Sequence, residues 1–253
     1  MNHERIARTF IHMSEGEKIH NQELVVLFKH APIPEDEIIA NLGLFLGRKN
    51  LTRILWMDEL YQKIVTVPGV IMEFGCRWGH NLALFGAFRS MYEPYNYSRK
   101  IIGFDTFSGF RPLHEKDASE ARLKSGDYSV TRGYEQYLEK LLALHEQEAP
   151  IAHIKKFELI KGDAPEQLER YLKDHPETII SLAYFDMDMY EPTKECLELI
   201  RSKVTKGSII GFDELASTVF PGETTALAEV FGLDKCRITR DPKNSLPSYL
   251  VIE

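Results

Sequence analysis

The sequence predicts an α/β fold, a doubly wound and mostly parallel seven-stranded sheet that follows an N-terminal helical extension. Three observations predict this fold class. Short apolar runs recur from residue 67 onwards, most intervals between them are compatible with helices, and each run is followed by a glycine or an acidic residue. Apolar strands that alternate with helices are typical of βαβ units, whose parallel sheets are covered by helices on both faces.

The length and composition restrict the class of protein. A chain of 253 residues fits one large α/β domain with an extension better than two full domains. With a net charge of −7 and no basic stripe, we expect no nucleic-acid partner. The first residues lack the profile of a signal peptide, and no apolar run approaches the roughly 20 residues of a membrane span. We therefore expect a cytoplasmic protein without a membrane partner.

The N-terminal extension, residues 1–66, is predicted to be helical. Residues 13–30 are polar with scattered apolar positions, whereas residues 50–65 place large apolar side chains near helical spacing. The sequence APIPED at 31–36 separates the two segments as a turn. The sheet-forming domain is predicted to cover residues 67–253.

Five apolar runs after residue 66 have the length of strands, and a closing strand pair is predicted between Cys236 and Ile252. The five runs are 70–74, 100–104, 157–160, 178–185 and 208–212. In an open parallel sheet, a ligand binds beyond the carboxyl ends of the strands. The acidic residues after these runs are therefore expected around one crevice; they are Asp105, Asp163, Asp186, Asp188, Asp213 and Glu214.

The turn after the first strand predicts a cofactor site. Gly75 allows a sharp turn, and Gly79 allows the next helix to begin close to a ligand. The unpaired N–H groups of that helix suit a carboxylate or a phosphate. Glu73 is expected either to bind ligand through water or to brace the turn. The G-x-x-x-G spacing disfavours a nicotinamide-dependent oxidoreductase, which needs G-x-G-x-x-G, but leaves it as an alternative.

Two further acids are assigned to the cofactor side. Asp105 can accept hydrogen bonds from vicinal ribose hydroxyls, and its alternative role is to cap a turn or a helix. Asp163 and Glu166 form a capping-box sequence, so Asp163 is predicted to cap a helix, with adenine contact as a second role.

Two acidic motifs predict a metal site. Asp186 and Asp188 end the fourth strand, and Asp213 and Glu214 end the fifth. Two carboxylates about 4 Å apart repel by roughly 4 kcal/mol at an effective dielectric constant of about 20, so the cluster needs a cation. Oxygen ligands favour a hard divalent ion, with Mg²⁺ expected and Mn²⁺ or Ca²⁺ as alternatives. Helix caps, or strand ends that point into solvent, are the competing interpretation.

Several segments together resemble the macrocin O-methyltransferase family. They are Val67-Pro68-Gly69, Glu73-Phe74-Gly75, Asp105-x-Phe107-x-Gly109, Asp186-x-Asp188-x-Tyr190-Glu191-x-Thr193, Asp213-Glu214 and Phe220-Pro221-Gly222. The resemblance implies a Rossmann-like class I methyltransferase of natural product biosynthesis. It would use S-adenosylmethionine (SAM) and Mg²⁺ to methylate a hydroxyl of a sugar or a glycosylated or nucleotide-linked molecule, as a homodimer or larger homo-oligomer.

By this resemblance, Asp105 would contact the ribose, and the metal ligands would be Asp186 or Asp188 together with Asp213 and Glu214. The residues predicted for the cofactor site as a whole are Glu73, Gly75, Gly79, Asp105, Asp163 and Asp186. Methyl transfer to a hydroxyl requires removal of its proton, so a general base is expected. Asp188 and His114 are the predicted catalytic residues, with His80 as an alternative. Residues 111–134 are predicted to form a lid over the substrate. A non-catalytic SAM-binding partner protein is a further alternative.

Overall fold

A computed structural model describes residues 13–117 and 124–253 of the chain. The chain divides into two compact units, one that ends at Leu55 and one from Trp56 to Glu253. This division falls within a helix, upstream of the boundary predicted at residue 66. The predicted lid, residues 111–134, is described except for residues 118–123.

The N-terminal unit contains helix α1 (Glu15–Lys29), a 3-10 helix at Ile39–Phe45 and the beginning of helix α2 (Arg48–Ile64). A capping box starts α1, because Ser14 and Glu17 each accept the backbone N–H of the other. None of the residues of α1 is buried.

The second unit contains one seven-stranded sheet in the order β3-β2-β1-β4-β5-β7-β6. Its strands are β1 (Val70–Phe74), β2 (Ile101–Asp105), β3 (Phe157–Lys161), β4 (Ile180–Phe185), β5 (Val204–Phe212), β6 (Ile238–Arg240) and β7 (Ser248–Val251). Strands β1 to β5 are parallel, and β7 is antiparallel to both β5 and β6. The predicted fold class and closing strand pair are confirmed.

In the part of the second unit that the structure describes, five α-helices connect the strands of the sheet. They are α3 (His80–Tyr92), α4 (Tyr134–Glu148), α5 (Ala164–Asp174), α6 (Tyr190–Ile200) and α7 (Gly222–Val230). Strand β1 pairs with β2 on one side and with β4 on the other. The chain thus reverses its direction of winding at β1, and ligands of such sheets bind in the crevice beyond this point.

Four phenylalanines define the level at which the central strands end. Phe74 pairs in register with Phe104 and Phe185, and Phe185 pairs with Phe212. Their buried rings stack with centroid distances of 5.1, 4.8 and 5.3 Å across the sheet. Such stacked pairs contribute about 0.5–1.5 kcal/mol each beyond burial. The next residues along the chain therefore emerge at one level; they are Gly75, Asp105, Asp186 and Asp213.

Within the described residues, the helices lack the combination of length and apolar character that crossing a membrane requires.

Candidate active site

The predicted acids of three strands converge around the Cys76 thiol. Burial raises the pKa of Cys76 well above its ordinary value, and the nearby carboxylates of Asp105, Glu73 and Asp186 raise it further. A negative charge raises the pKa of a thiol only when it lies close to the sulfur. The structure therefore brings together three carboxylates that the sequence assigned to the cofactor side.

The two glycines of the β1–α3 turn act differently. Gly75 has φ +88°, and a Cβ atom there would overlap the backbone carbonyl of Asp186, so the turn requires glycine. Gly79 precedes α3 in the left-handed conformation. A Cβ atom at Gly79 would meet the side chain of Leu138 from α4. The close packing of α4 therefore gives Gly79 a structural role, and its predicted role beside the cofactor stays a prediction.

Asp105 lies at the end of β2 and organises two turns. Its Oδ2 atom accepts the Arg77 N–H at 2.7 Å, and its Oδ1 atom accepts the Phe107 N–H at 2.5 Å. Burial raises the pKa of Asp105, these two bonds oppose the rise, and Asp186 adds to it. The predicted capping role is confirmed. Each carboxylate oxygen has a second lone pair, so the predicted ribose contact is compatible with this geometry.

Glu73 braces the turn, as one of its two predicted roles required. It is buried, and its Oε1 atom accepts a hydrogen bond from the Asn81 side chain of α3 at 2.7 Å. Strand β1 and helix α3 are thereby joined below the turn that carries Gly75. Water-mediated ligand binding by Glu73 stays a prediction.

Asp163 does not form the predicted capping box. It occupies the N-cap position of α5, but its side chain makes no capping hydrogen bond. Its carboxylate instead pairs with the Arg111 guanidinium, at 3.2 and 3.3 Å. A charged donor is a stronger partner for a carboxylate than a backbone N–H, which accounts for the difference.

The acids that follow β4 and β5 are enclosed by protein. Asp188, Asp213 and Glu214 are only 5%, 6% and 6% exposed, so the interpretation as solvated strand ends is wrong. The Asp213 Oδ1 atom accepts the Tyr184 hydroxyl at 2.7 Å, and this bond fixes the orientation of the carboxylate. Asp188 has φ +64°, a conformation that is uncommon for residues other than glycine. Such local strain is frequent in active sites.

The structure adds Glu223, which the sequence analysis missed. This carboxylate, in the first turn of α7, is completely buried. It accepts the N–H groups of Met187 and Asp188 with Oε1, at 3.2 and 3.3 Å, and that of Glu214 with Oε2, at 3.2 Å. An acid in the first turn of a helix is ordinarily explained by the helix dipole. In the sequence, the feature that could have identified Glu223 as a site residue was therefore its position directly after the Phe220–Gly222 segment of the family pattern.

The carboxylate oxygens are suitable ligands for a divalent metal ion, but they do not form a complete ligand shell. Among residues 13–117 and 124–253, no three His, Cys, Asp or Glu side chains form a group that could hold a metal. The predicted set of Asp186, Asp188, Asp213 and Glu214 is thus not assembled as a complete ligand shell. Mg²⁺, however, commonly takes one or two carboxylates and completes its shell with water and substrate oxygens. The donor set is compatible with that mode, and metal binding stays a prediction.

His114 is placed against the beginning of α6. Its ring lies 5.0 Å from that of Tyr190, and its Nδ1 atom accepts the Lys116 N–H at 3.1 Å. In the neutral imidazole, the proton is then on Nε2, so His114 could accept another proton only after losing this bond. The geometry disfavours His114 as the general base. His80 is the exposed first residue of α3.

The beginning of the predicted lid is attached to α6 and α7. Buried Asp117 accepts the N–H of Tyr190, the first residue of α6, at 2.5 Å. The Lys116 ammonium donates to the Tyr190 hydroxyl at 3.0 Å and to Glu229 of α7 at 2.5 Å. Arg111 pairs with Glu191 at 3.1 Å in addition to its contact with Asp163. This segment therefore lies beside the loop that carries Asp188.

Comparison with solved structures identifies the family. No protein-family model matches the chain, and no curated protein sequence matches it. The structure of CalS11, a calicheamicin methyltransferase, is 45% identical over 96% of this chain and 95% of its own, with a TM-score of 0.93. An apo structure of CalS11, described as a TDP-rhamnose 3'-O-methyltransferase in calicheamicin biosynthesis, is 43% identical over 96% and 97%, with a TM-score of 0.85. The chain belongs to the macrocin-type O-methyltransferases.

This O-methyltransferase transfers a methyl group from SAM to a hydroxyl of a small molecule, as the resemblance implied. The family assignment excludes the nicotinamide-dependent oxidoreductase. The O-methyltransferase NovP, at 14% identity over 79% of each chain and a TM-score of 0.59, shares the fold.

Proposed function

We propose that the acceptor is a nucleotide-linked sugar of the TDP-rhamnose class, and that a divalent ion assists the transfer. The observation that carries this proposal is the 43% identity, over nearly the whole chain, to a TDP-rhamnose 3'-O-methyltransferase. The enclosed carboxylates after β4 and β5 support it, because they lie next to the acids of the cofactor side on neighbouring strands.

The cofactor is proposed to bind over β1, β2 and β4. Asp105 would accept the ribose hydroxyls while it continues to hold the two turns. The N-terminal N–H groups of α3, which follows Gly79, suit the methionine carboxylate. The remaining cofactor residues in the proposal are Glu73, Gly75, Asp163 and Asp186.

The acceptor hydroxyl is proposed to lie against Asp188, Asp213 and Glu214. Bound SAM supplies the methyl group, and bound Mg²⁺ lowers the pKa of a coordinated hydroxyl and fixes its position. One or two carboxylates of the set Asp186, Asp188, Asp213 and Glu214 would hold the ion, with water and substrate oxygens completing its shell. Asp188 is the proposed acceptor of the hydroxyl proton. The oxygen–carbon bond forms as the sulfur–carbon bond breaks, and the sulfur keeps that electron pair in S-adenosylhomocysteine (SAH).

The first test combines substrate choice with the loss of one carboxylate. The purified protein is incubated with SAM, Mg²⁺ and TDP-rhamnose, and methylated product is measured by mass spectrometry. EDTA should stop turnover, and added Mg²⁺ should restore it. Asp213→Asn should lower kcat about 100-fold or more, because it removes charge where the hydroxyl must lose its proton. SAH affinity should stay within about threefold of wild type, since the main cofactor acids are intact.

Asp174→Asn, the same change at an exposed carboxylate of α5, is the control and should leave kcat unchanged. Wild-type turnover by Asp213→Asn in the presence of EDTA would contradict the metal-assisted reaction. Equal turnover of free rhamnose and TDP-rhamnose would contradict the nucleotide-linked acceptor. A protein that binds SAH but methylates none of these sugars would contradict the proposed acceptor class.

We also propose that the protein forms a homodimer or larger homo-oligomer. The N-terminal unit exposes many large apolar side chains; among them are Ile19, Val26, Leu27, Ile39 and Leu44. Contiguous exposed apolar surface commonly marks an interaction site.

A further inference from the structure

Glu223 connects two loops that are far apart in sequence. Through one oxygen it binds the backbone of Met187 and Asp188, which follow β4, and through the other it binds the backbone of Glu214, which follows β5. The pairing of β4 with β5 ends at Phe185 and Phe212, and the Asp213 N–H still donates to the Phe185 carbonyl at 2.9 Å. Beyond this bond, the Glu223 side chain links the two loops, so its length contributes to their separation.

Gly222 provides independent evidence that the beginning of α7 is pressed against the β4 loop. A Cβ atom at Gly222 would lie 2.5 Å from the Tyr190 nitrogen and 2.8 Å from the Asp188 carbonyl oxygen. It would also lie 2.8 Å from the Asp117 carboxylate. Atoms cannot approach so closely, so any larger residue would displace the helix or the loop.

Hydrogen bonds to an ionised acceptor are about twice as strong as those between neutral groups, and they are stronger still away from water. Three backbone N–H groups point at one buried carboxylate, so the loops are held by the charge and by the length of the side chain together. The Asp188 backbone is in a strained conformation, which persists only when its surroundings hold it there.

We propose that Glu223 is a positioning residue for methyl transfer. It holds the backbone of Asp188 and Glu214 at the separation that places their side chains on one acceptor hydroxyl. Glu223 thus influences the reaction indirectly, through the positions of Asp188 and Glu214. This inference rests on the proposed role of the two loops in binding the acceptor.

Glu223→Gln tests the proposal, because glutamine keeps the length but loses the charge and one acceptor oxygen. A displacement of about 1 Å at a reacting centre can lower a rate about 100-fold, so kcat should fall by about 10- to 100-fold. The KM for SAM and the affinity for SAH should stay within about threefold. Amide hydrogen exchange should become about tenfold faster in peptides that cover 186–189 and 213–215, and should not change at 71–76.

Leu227→Ala is the matched control, since Leu227 is buried one turn further along α7. It should destabilise the helix without selective exchange in the two loops and without a comparable loss of kcat. If Glu223→Gln does not fold, Gly222→Ala displaces the same contact and leaves the carboxylate in place, and it should produce the same selective exchange and loss of kcat.

Unchanged loop exchange together with kcat within twofold of wild type would overturn the positioning role. So would an equal loss of kcat in Leu227→Ala at matched stability. These outcomes are separate from the test of Asp213. If Asp213→Asn keeps full turnover, the proposed function fails. If Asp213→Asn is inactive while Glu223→Gln is fully active, only the present inference fails.

Discussion

Asp105 joins two turns of the chain and is also the residue proposed to bind the cofactor ribose. It accepts the N–H of Arg77 from the β1–α3 turn and that of Phe107 from the turn after β2. The ribose contact proposed for Asp105 would use the remaining lone pairs of the same two oxygens. On this proposal, cofactor affinity and the order of both turns depend on one side chain.

Asp105→Asn should weaken SAH binding by about 1.5–3 kcal/mol, or about tenfold to a hundredfold. The amide cannot accept from both backbone N–H groups, and it lacks the charge that strengthens a bond to a ribose hydroxyl. Isothermal titration calorimetry measures the loss, and thermal unfolding without ligand measures how much of it is structural.

The pH dependence of wild-type binding provides the control for this substitution. Because burial raises the pKa of Asp105 above its ordinary 3.8, protonation begins at a higher pH than for a free carboxyl, and SAH affinity should fall as pH decreases through that range. Asp105→Asn should lack this decline. A variant that binds SAH as tightly as wild type would contradict the ribose contact.

Local sequence predicts the position of single residues better than their partners. Asp105, Asp186 and Asp213 could be placed because each directly follows a short apolar run. The partner of Asp163 could not be predicted, since Arg111 is 52 residues away and the N-cap position alone favours capping.

At the scale of elements, the segment Arg111–Asp117 is fastened to α6 by Asp117. Tyr190 N–H is one of the unpaired donors at the start of α6, and the Asp117 carboxylate satisfies it from a distant part of the chain. The other oxygen of Asp117 accepts the His114 N–H at 2.9 Å, which closes the turn of the segment. One buried carboxylate thus joins the lid segment to the loop before α6.

Asp117→Ala should lower the free energy of unfolding by about 1–2 kcal/mol, as expected for the loss of a helix cap. It should also raise the KM for the acceptor several-fold, because the lid segment loses its bond beside Asp188. Urea denaturation and steady-state kinetics measure the two effects. Glu115→Ala, at an exposed neighbour in the 3-10 helix Glu115–Asp117, should change neither quantity. An unchanged KM would argue against a lid over the acceptor.

The elements themselves were largely predictable, but the burial of Glu223 was not. Strands β1 to β5 follow from apolar runs, which parallel sheets require because both faces are covered. Glu223 lies in a helix whose first turn contains an acid, and the same pattern occurs in solvent-exposed helices. Only the packing of α7 against the loops after β4 and β5 makes this glutamate internal.

At the scale of the whole molecule, the proposed homo-oligomer rests on the exposed apolar side chains of the N-terminal unit. Helix α1 has no buried residue, and Leu27 and Ile39 are 65% and 80% exposed. The double variant Leu27→Glu and Ile39→Glu should shift the protein towards the mass of a monomer in light scattering after size-exclusion chromatography. Charges buried at an interface are costly unless they are paired.

Tyr95→Ser is the control for the assembly, because Tyr95 is 75% exposed but lies in the second unit. It should leave the molar mass unchanged. A wild-type protein that is monomeric at all concentrations would contradict the homo-oligomer.

The fold of the whole sheet was predictable because the same sequence pattern, an apolar run followed by a helix, recurs along the chain. Each βα unit contributes an apolar run and a connecting helix, and parallel strands allow few connections. The exact division between the units was less accessible, since α2 has continuous helical spacing on both sides of Leu55. Neither the composition nor the hydrophobic periodicity of α2 changes at Leu55, where the two units divide.

The stacked phenylalanines stabilise the strand ends, so the residues that face the crevice do not have to. Phe74, Phe104, Phe185 and Phe212 hold the strand ends level by contacts with one another, beneath the crevice. The residues that follow them are those proposed to bind the cofactor and the acceptor, and they lie outside that stack. Natural variation, or a protein engineer, could therefore exchange the reactive groups at this rim for others while the platform below keeps its shape. In each of these strands, the residue that stabilises the strand end is thus followed directly in sequence by a residue proposed to face the ligands.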